Sequence, residues 1–371
     1  MKSSGILIAN RGEISVRIAR AAADLGIRSV SIYSEDDKNS LHTKISNEAA
    51  LIPGMGAKAY LDIDSIMLTA KKMGCDMLHP GYGFLSERAD FAERCEIEGI
   101  TFVGPNVEHL RLFGDKGEAR SAAIEAGVPV LKGVNRGVTL SEAQEFFKSI
   151  KGSVIIKAVA GGGGRGTRIV KSKKDLESAF VRCESEAKAA FGIGDLYIEE
   201  FMNCARHIEV QIIGDTGGNV IHLGERECSA QRRNQKVIEI APAPNFSPVL
   251  REKILKSAVA FAQQQKYQSL GTFEFLVDGN EPSSKFVFIE ANARLQVEHT
   301  VTEEVTGIDL VASQIKVALG GSLSEIGLDL DNAINPKGFA IQARVNLETI
   351  KPDGSVMPSA GVLTSYDVPT G

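Results

Sequence analysis

Short apolar runs alternate with helix-period segments over the first hundred residues. Ile6 to Ala9 reads as a strand, and Ile14 to Leu25 as a helix closed by Gly26. Ser29 to Tyr33 is a second strand. A helix from about Asp62 to Met73, a strand from Asp76 to His79, a helix from Glu87 to Glu98 and a strand from Ile100 to Val103 follow. Strands alternating with helices predict βαβ units and a parallel sheet.

The pattern then changes. Gly114-Asp-Lys-Gly-Glu-Ala opens a helix that runs to Gly127. Val154 to Ala158 is a buried strand, and the run Gly161-Gly-Gly-Gly-Arg-Gly166 follows it. Strands are predicted at Leu196 to Glu200, His207 to Ile213, Gly271 to Val277 and Phe286 to Glu290, the last two as a hairpin turning near Asp278-Gly-Asn280. Phe339 to Val345 and Gly361 to Ser365 also read as strands. The end at Gly371 falls inside a layer of strands, as if within a domain.

A chain of 371 residues exceeds one compact core, so two or three domains are expected. The formal net charge of −5 carries no basic excess for nucleic acid. No apolar run is long enough for a membrane span or a signal peptide. The cysteines Cys75, Cys95, Cys183, Cys204 and Cys228 are odd in number and form no C-x-x-C pair. A reducing, cytoplasmic location without a disulfide framework is therefore expected.

Glycines without a Cβ let backbone N–H groups approach a polyphosphate closely. The strand ending in Lys157 and the loop with Gly162, Gly163, Gly164, Arg165 and Gly166 offer such donors beside two cations. A flexible linker would carry serine, not lysine and arginine. The order of residues differs from the Walker loop, in which the lysine follows the glycines. Ala9-Asn-Arg-Gly12 likewise differs from the dinucleotide pattern G-x-G-x-x-G.

The segment Glu290 to Glu298 is more specific. Read as an extended strand, it points Glu290, Asn292, Arg294, Gln296 and Glu298 to one face, with Ala291, Ala293, Leu295 and Val297 on the other. Pairing with Thr272-Phe-Glu-Phe275 would bring Glu274 to Glu290. Two carboxylates beside an amide oxygen suit Mg²⁺. Gln231-Arg-Arg-Asn-Gln-Lys236 reads as a positioned loop whose cations could hold bicarbonate or phosphate. His79 and His207, taken alone, are more simply structural histidines.

Taken together, these stretches resemble the biotin carboxylase component of biotin-dependent carboxylases, within the ATP-grasp superfamily. The resemblance rests on Ile8-Ala-Asn-Arg-Gly-Glu13, His79 to Glu87, Phe102-Val-Gly-Pro105 and Gly114-Asp-Lys116. It continues through Ile156-Lys-Ala158 with its glycine loop, Glu227-Cys-Ser with Gln231-Arg-Arg, Ala241-Pro-Ala-Pro244, and Glu290 to Glu298. These cover nearly the whole chain in family order.

The resemblance implies an α/β fold: a doubly wound N-terminal parallel-sheet domain over 1–113 and an ATP-grasp domain over 114–320. The latter would carry a mobile lid over about 129–200, and an incomplete C-terminal domain would begin in 335–371. It implies that Lys116, Lys157 and the glycine loop hold ATP phosphates, with His207, Gln231 and Asn234 nearby and Glu199 and Met202 at adenine. Glu274, Glu290 and Asn292 would organise Mg²⁺ or Mn²⁺. Lys236, Arg294, Gln296 and the Val297 backbone would bind bicarbonate, and Glu298 would deprotonate it. Tyr82 and Arg344 would meet biotin. The implied partners are a biotin carrier domain, a carboxyltransferase and a second copy of the chain. Asn234 departs from the family's usual histidine and Glu200 from a frequent lysine. Asn346-Leu-Glu-Thr349 is more like large single-chain acyl-CoA carboxylases. Another ATP-grasp ligase that makes an acyl phosphate, or a non-catalytic nucleotide-binding fragment, are the alternatives.

Overall fold

The computed structural model describes residues 5–134, 137–150, 152–159, 166–232, 234–279, 285–328, 335–353, 355–359, 361 and 364–367. The expected parallel sheet is present. Its strands are β1 (Ile6–Ile8), β2 (Ser29–Tyr33), β3 (Glu48–Leu51), β4 (Met77–His79) and β5 (Thr101–Phe102), in the order β3-β2-β1-β4-β5. β1 pairs in parallel with both β2 and β4. The chain thus winds outward on one side of β1, returns, and winds outward on the other. In such sheets the reversal leaves a crevice at the carboxyl ends of the two central strands. Helix Gly12–Asp24 packs Ile14, Ile18, Ala19, Ala21 and Ala22 inward, and Gly26 follows with a left-handed φ of 66°. β3 has no counterpart in the sequence reading. Glu-Ala-Ala-Leu is a short edge strand without β-branched residues.

A small four-stranded sheet, β6-β9-β7-β8, comprises β6 (Gly133–Val134), β7 (Val154–Ala158), β8 (Thr167–Val170) and β9 (Leu196–Glu200). Val154, Ile156 and Ala158 of β7 face a core shared with helix Lys173–Phe191, which leaves Lys157 on the opposite face. The largest sheet is antiparallel, in the order β14-β13-β10-β11-β12-β15. Its strands are β10 (Ala205–Gly214), β11 (Val220–Arg232), β12 (Gln235–Ala241), β13 (Ser269–Asp278), β14 (Phe286–Asn292) and β15 (Ala340–Ala343). Behind it, Phe113, Phe261, Tyr267, Phe273 and Phe288 meet edge-on at centroid distances of 5.4–5.8 Å. Such pairs add about 0.5–1.5 kcal/mol each beyond area burial.

Three expectations are corrected. The strand through Glu290 ends at Asn292; Ala293 to Glu298 turn into helix His299–Thr306. Arg294 N–H already bonds back to the Asn292 carbonyl at 2.9 Å, which breaks the extended path. Gln231 to Lys236 is no loop, because Gln231 pairs with Lys236 and Arg232 with Gln235 in the β11–β12 hairpin. Among described residues, Gly361, Ser365 and their neighbours form no strand; β16 (Glu348–Ile350) and β17 (Val356–Pro358) pair instead.

Candidate active site

The four-stranded sheet, the helix Lys116–Glu125 and β14 enclose a cleft lined by Lys116, Gly117, Arg120, Val159, Tyr197, Glu199 and Ile289. Asp115 caps that helix, its carboxylate accepting from Gly117 N at 2.8 Å and Glu118 N at 3.0 Å. A cap of this kind is worth about 1 kcal/mol and fixes Lys116 as the first helical residue. Lys116 Nζ lies 3.4 Å from Glu290. Lys157 Nζ donates to Glu199 at 2.8 Å and stands 5.6 Å from the Tyr197 ring centroid. Burial alone would lower the Lys157 pKa, but Glu199 and Tyr197 raise it above the usual lysine range. Met202 is buried beside Leu131 and Val287. Gly166 takes a φ of 67°, its Cβ position 3.0 Å from the Ala158 side chain, so it turns the chain back onto β7. Gly162, Gly163 and Gly164 lie outside the described residues.

The predicted hairpin places Glu274 directly opposite Glu290. Glu274 is saturated. Its Oε1 accepts from Asn292 Nδ2 at 2.7 Å, Lys236 Nζ at 3.0 Å and Gln296 Nε2 at 3.0 Å, and its Oε2 faces His207 Nε2 at 2.5 Å. Gln231 Nε2 bonds the Cys228 carbonyl at 2.8 Å and His207 Nδ1 at 2.9 Å. In the neutral ring the proton therefore sits on Nε2 and points at Glu274. His207 is thus part of the site, beyond a structural role. Asn234 forms the hairpin turn with a φ of 63°, a conformation Asn tolerates.

A divalent cation fits this donor set in part. Glu274 and Glu290 are adjacent carboxylates, and Glu290 is partly exposed with a long contact to Lys116. The Asn292 nitrogen faces Glu274, while its oxygen accepts from Arg294 at 3.0 Å. Two further groups are close enough to share an ion, His207–Glu209–Glu274 and Glu209–Cys228–Glu298. The Lys236 ammonium contacts carboxylates of both.

Lys236 is the centre of the buried part. Its Nζ contacts Glu209 at 2.5 Å, Glu298 at 2.8 Å and Glu274 at 3.0 Å. Burial works against both charges, yet the pairing holds Lys236 well above the lysine range and Glu274 well below the carboxylate range. Beneath them lies Arg226, fully buried, which bonds Glu209, Gln211 at 2.8 Å, Thr302 at 2.9 Å, Thr272 at 3.2 Å and Gln296 at 3.2 Å. Arg226 orients the Gln296 amide, taking its oxygen so that its nitrogen faces Glu274.

β15 pairs with β12, and the following Arg344 donates its N–H to Val237 O at 2.9 Å. Its guanidinium bridges Glu298 at 3.0 Å and Glu239 at 2.6 Å. Arg294 pairs with Glu87 at 2.9 Å and lies on the same side. Val297 and Tyr82 line one cleft with Glu13 and His299. Burial first, and then Glu13, raise the Tyr82 phenol pKa, and the charges of Arg344 and Glu298 also reach it.

Sequence reasoning missed Arg226, Glu209, Glu239 and Glu87. The signal for Glu209 was present, since His207, Glu209 and Gln211 alternate along β10 as the residues after Glu290 do. Arg226 offered none, for a lone strand arginine gives no hint of full burial.

The comparisons with known proteins agree. Residues 2–110 match the model of the biotin carboxylase N-terminal domain, and residues 115–326 match that of the carbamoyl-phosphate synthase L chain ATP-binding domain. A pyruvate carboxylase of Bacillus subtilis is 50% identical over 367 residues, 97% of this chain and 31% of that protein. The chain thus spans about a third of the curated relatives it matches. A Campylobacter jejuni biotin carboxylase, solved as a beta-gamma-ATP complex, superposes with a TM-score of 0.92 at 43% identity, covering 100% of this chain and 81% of that one. The biotin carboxylase domain of Hydrogenobacter thermophilus 2-oxoglutarate carboxylase, solved as a dimer with MgADP and bicarbonate, gives 0.92 at 41% identity, covering 100% and 80%. Sequence and fold converge, and the chain belongs to the biotin carboxylase family.

Proposed function

We propose that the chain carboxylates biotin with bicarbonate and ATP, and that the Lys236–Glu298–Arg344 cluster is where the two carbon substrates meet. The observation that carries this is the contact of Glu298 with both cations, at 2.8 Å and 3.0 Å. Bicarbonate is a poor electrophile, because its leaving group would be hydroxide. Glu298 takes its proton, and its oxygen attacks the γ-phosphorus of ATP, releasing ADP. The product, carboxyphosphate, breaks its C–O bond to the phosphate to give CO₂ and phosphate. Phosphate accepts the ureido proton of biotin, and the ureido nitrogen attacks CO₂. Lys236, Arg294, Gln296 and the Val297 backbone hold bicarbonate. Arg344 steadies the biotin enolate, and Tyr82 borders the biotin ring.

Lys116, Lys157 and the glycine loop bind the ATP phosphates, with His207, Gln231 and Asn234 alongside. Glu199 and Met202 stand at adenine. Glu274 and Glu290 would hold Mg²⁺ or Mn²⁺, which neutralises phosphate charge when bound. The protein contributes position and charge. The four-stranded sheet acts as a lid that excludes water. Biotin arrives on a carrier domain, a carboxyltransferase consumes the product, and the domain pairs with a second copy. The 50% identity to a pyruvate carboxylase favours pyruvate over the acyl-CoA acceptor read from Asn346 to Thr349. The five free cysteines favour a reducing, cytoplasmic location. Among the described residues, no helix is long and apolar enough to cross a membrane. ATP hydrolysis that requires bicarbonate and rises with free biotin is expected. Hydrolysis indifferent to biotin would assign the chain to another acyl-phosphate ligase.

A further inference from the structure

The crevice where the parallel sheet reverses is closed by two loops, one after β1 and one after β4. Asn10 ties one to the other, and His79 braces the second from within, neither side chain carrying a charge. Asn10 is buried, and its Nδ2 donates to Pro80 O at 2.7 Å and to Tyr82 O at 2.9 Å, while its Oδ1 accepts from Arg11 N at 2.8 Å. The amide can take no other orientation, since a flip would set its oxygen against two carbonyls. His79 is fully buried and its Nδ1 accepts from Gly81 N at 3.0 Å. Burial lowers its pKa to about 3, so the ring is neutral, with its proton on Nε2.

Between these two anchors the turn adopts left-handed backbone at Gly81 (65°), Gly83 (69°) and Phe84 (44°). A Cβ at position 81 would lie 2.8 Å from Asn10 Nδ2. The two glycines adopt the left-handed region freely, but at Phe84 it costs energy and persists where the surroundings over-determine it, often at a functional site. The side chain presented is Tyr82, whose hydroxyl donates to Glu13 at 2.5 Å. Glu13 stands in the first turn of the helix Gly12–Asp24, directly after the β1 loop that holds Asn10. Tyr82 is thus held at its backbone and at its tip, on the cleft that Val297 also lines.

We propose that Asn10 and His79 are positioning residues for the biotin half of the reaction, acting by fixing the Pro80–Gly83 turn so that Tyr82 stands ready beside Val297. This rests on the reading of Tyr82 as a biotin contact. An ordinary structural turn would lose stability when disturbed, and would affect ATP and biotin alike.

The test uses the intact protein that carries this chain, with free biotin as the probe. Asn10→Asp replaces the two donated bonds with repulsion between oxygens. It is expected to raise the KM for biotin about tenfold or more, as a displacement near 1 Å can. The KM for ATP, and ATP cleavage with bicarbonate but no biotin, stay at wild-type values. Gly81→Ala disturbs the same turn from the other side and predicts the same split, should Asn10→Asp not fold. His79→Leu behaves likewise, whereas His79→Asn keeps an acceptor where Nδ1 stood and restores the biotin KM. Equal effects on ATP and biotin, or none on biotin, overturn the proposal. Tyr82→Ala separates the two layers. If it leaves the biotin KM unchanged, the reading of Tyr82 itself falls. If it raises that KM while Asn10→Asp and Gly81→Ala do not, the positioning role alone falls.

Discussion

Lys157 and Lys236 are both strand lysines that pair with glutamate, but the two surroundings differ in kind. Among the described residues, Lys157 has one carboxylate partner, Glu199, and it keeps a quarter of its side chain exposed at the cleft. Lys236 has three carboxylate partners within 3.0 Å, each of them nearly or fully buried. Around Lys236 the carboxylates are shared in turn by Arg226, His207, Arg344 and Gln296. A cation with one exchangeable partner can hand itself to a phosphate. A cation inside a closed network fixes geometry for a small anion and excludes bulk water. On the proposed function, the ATP side is built for exchange and the bicarbonate side for rigidity, so substitutions should separate binding from stability.

The largest expected effect is at Arg226. Arg226→Ala leaves Glu209 buried without its guanidinium, and breaking a buried pair costs about 3–5 kcal/mol. The urea midpoint should fall accordingly, with loss of carboxylation at all substrate levels. Lys157→Ala should do the reverse. Partly exposed pairs are worth about 0–1 kcal/mol, so the midpoint moves little while the KM for ATP rises at least about tenfold. Equal stability losses in the two variants would erase the distinction.

Acid should find the network before the lid. Lys236 and Arg226 hold the pKa values of Glu274 and Glu209 below the usual range against burial. Their stabilisation is therefore present above the unfolded glutamate pKa of about 4.3 and is lost as pH falls toward their folded values. Urea midpoints followed from pH 7 to pH 3 should drop steeply for the wild type. Glu209→Gln, with one fewer proton to bind on unfolding, should start lower and fall less steeply. Parallel curves would mean that Glu209 does not carry the acid limb.

The smallest effect sharpens the hairpin that delivers Lys236. Asn234 sits in the left-handed region, where a residue with an ordinary Cβ costs about 1 kcal/mol or more and glycine costs nothing. Asn234→Ala should lower the unfolding free energy by about 1 kcal/mol, and Asn234→Gly should stay within about 0.5 kcal/mol. Identical losses in both would shift the importance of Asn234 from backbone to side chain.

The same two regions show what a sequence discloses. Most of the parallel sheet was readable because strands such as Ile6–Ile8 are apolar runs and helices such as Gly12–Asp24 have a periodic apolar face, whereas the edge strand β3 has neither signal. The Glu274–Glu290 pairing was readable from alternation and a hairpin turn. Alternation carried the argument too far at Asn292, where a backbone bond from Arg294 turns the chain. Gln296 and Glu298 still reach the site, through a turn and a helix start instead of a strand. Arg226 and Glu239 stayed hidden, because their roles depend on partners from distant segments such as Thr302 and Arg344. The glycine loop spoke for phosphate, whereas the cluster proposed for bicarbonate joins the Glu290 to Glu298 segment to Lys236 and Arg344 from other parts of the chain.

The central claim is that Glu298, between Lys236 and Arg344, is the base that readies bicarbonate. The direct measurement is transfer of labelled bicarbonate to free biotin by Glu298→Gln, beside its circular dichroism. Loss of a positioned general base costs about 10²–10⁴-fold, so a fall of that size in a folded protein is the predicted result. A folded Glu298→Gln variant that carboxylates biotin at the wild-type rate would contradict it.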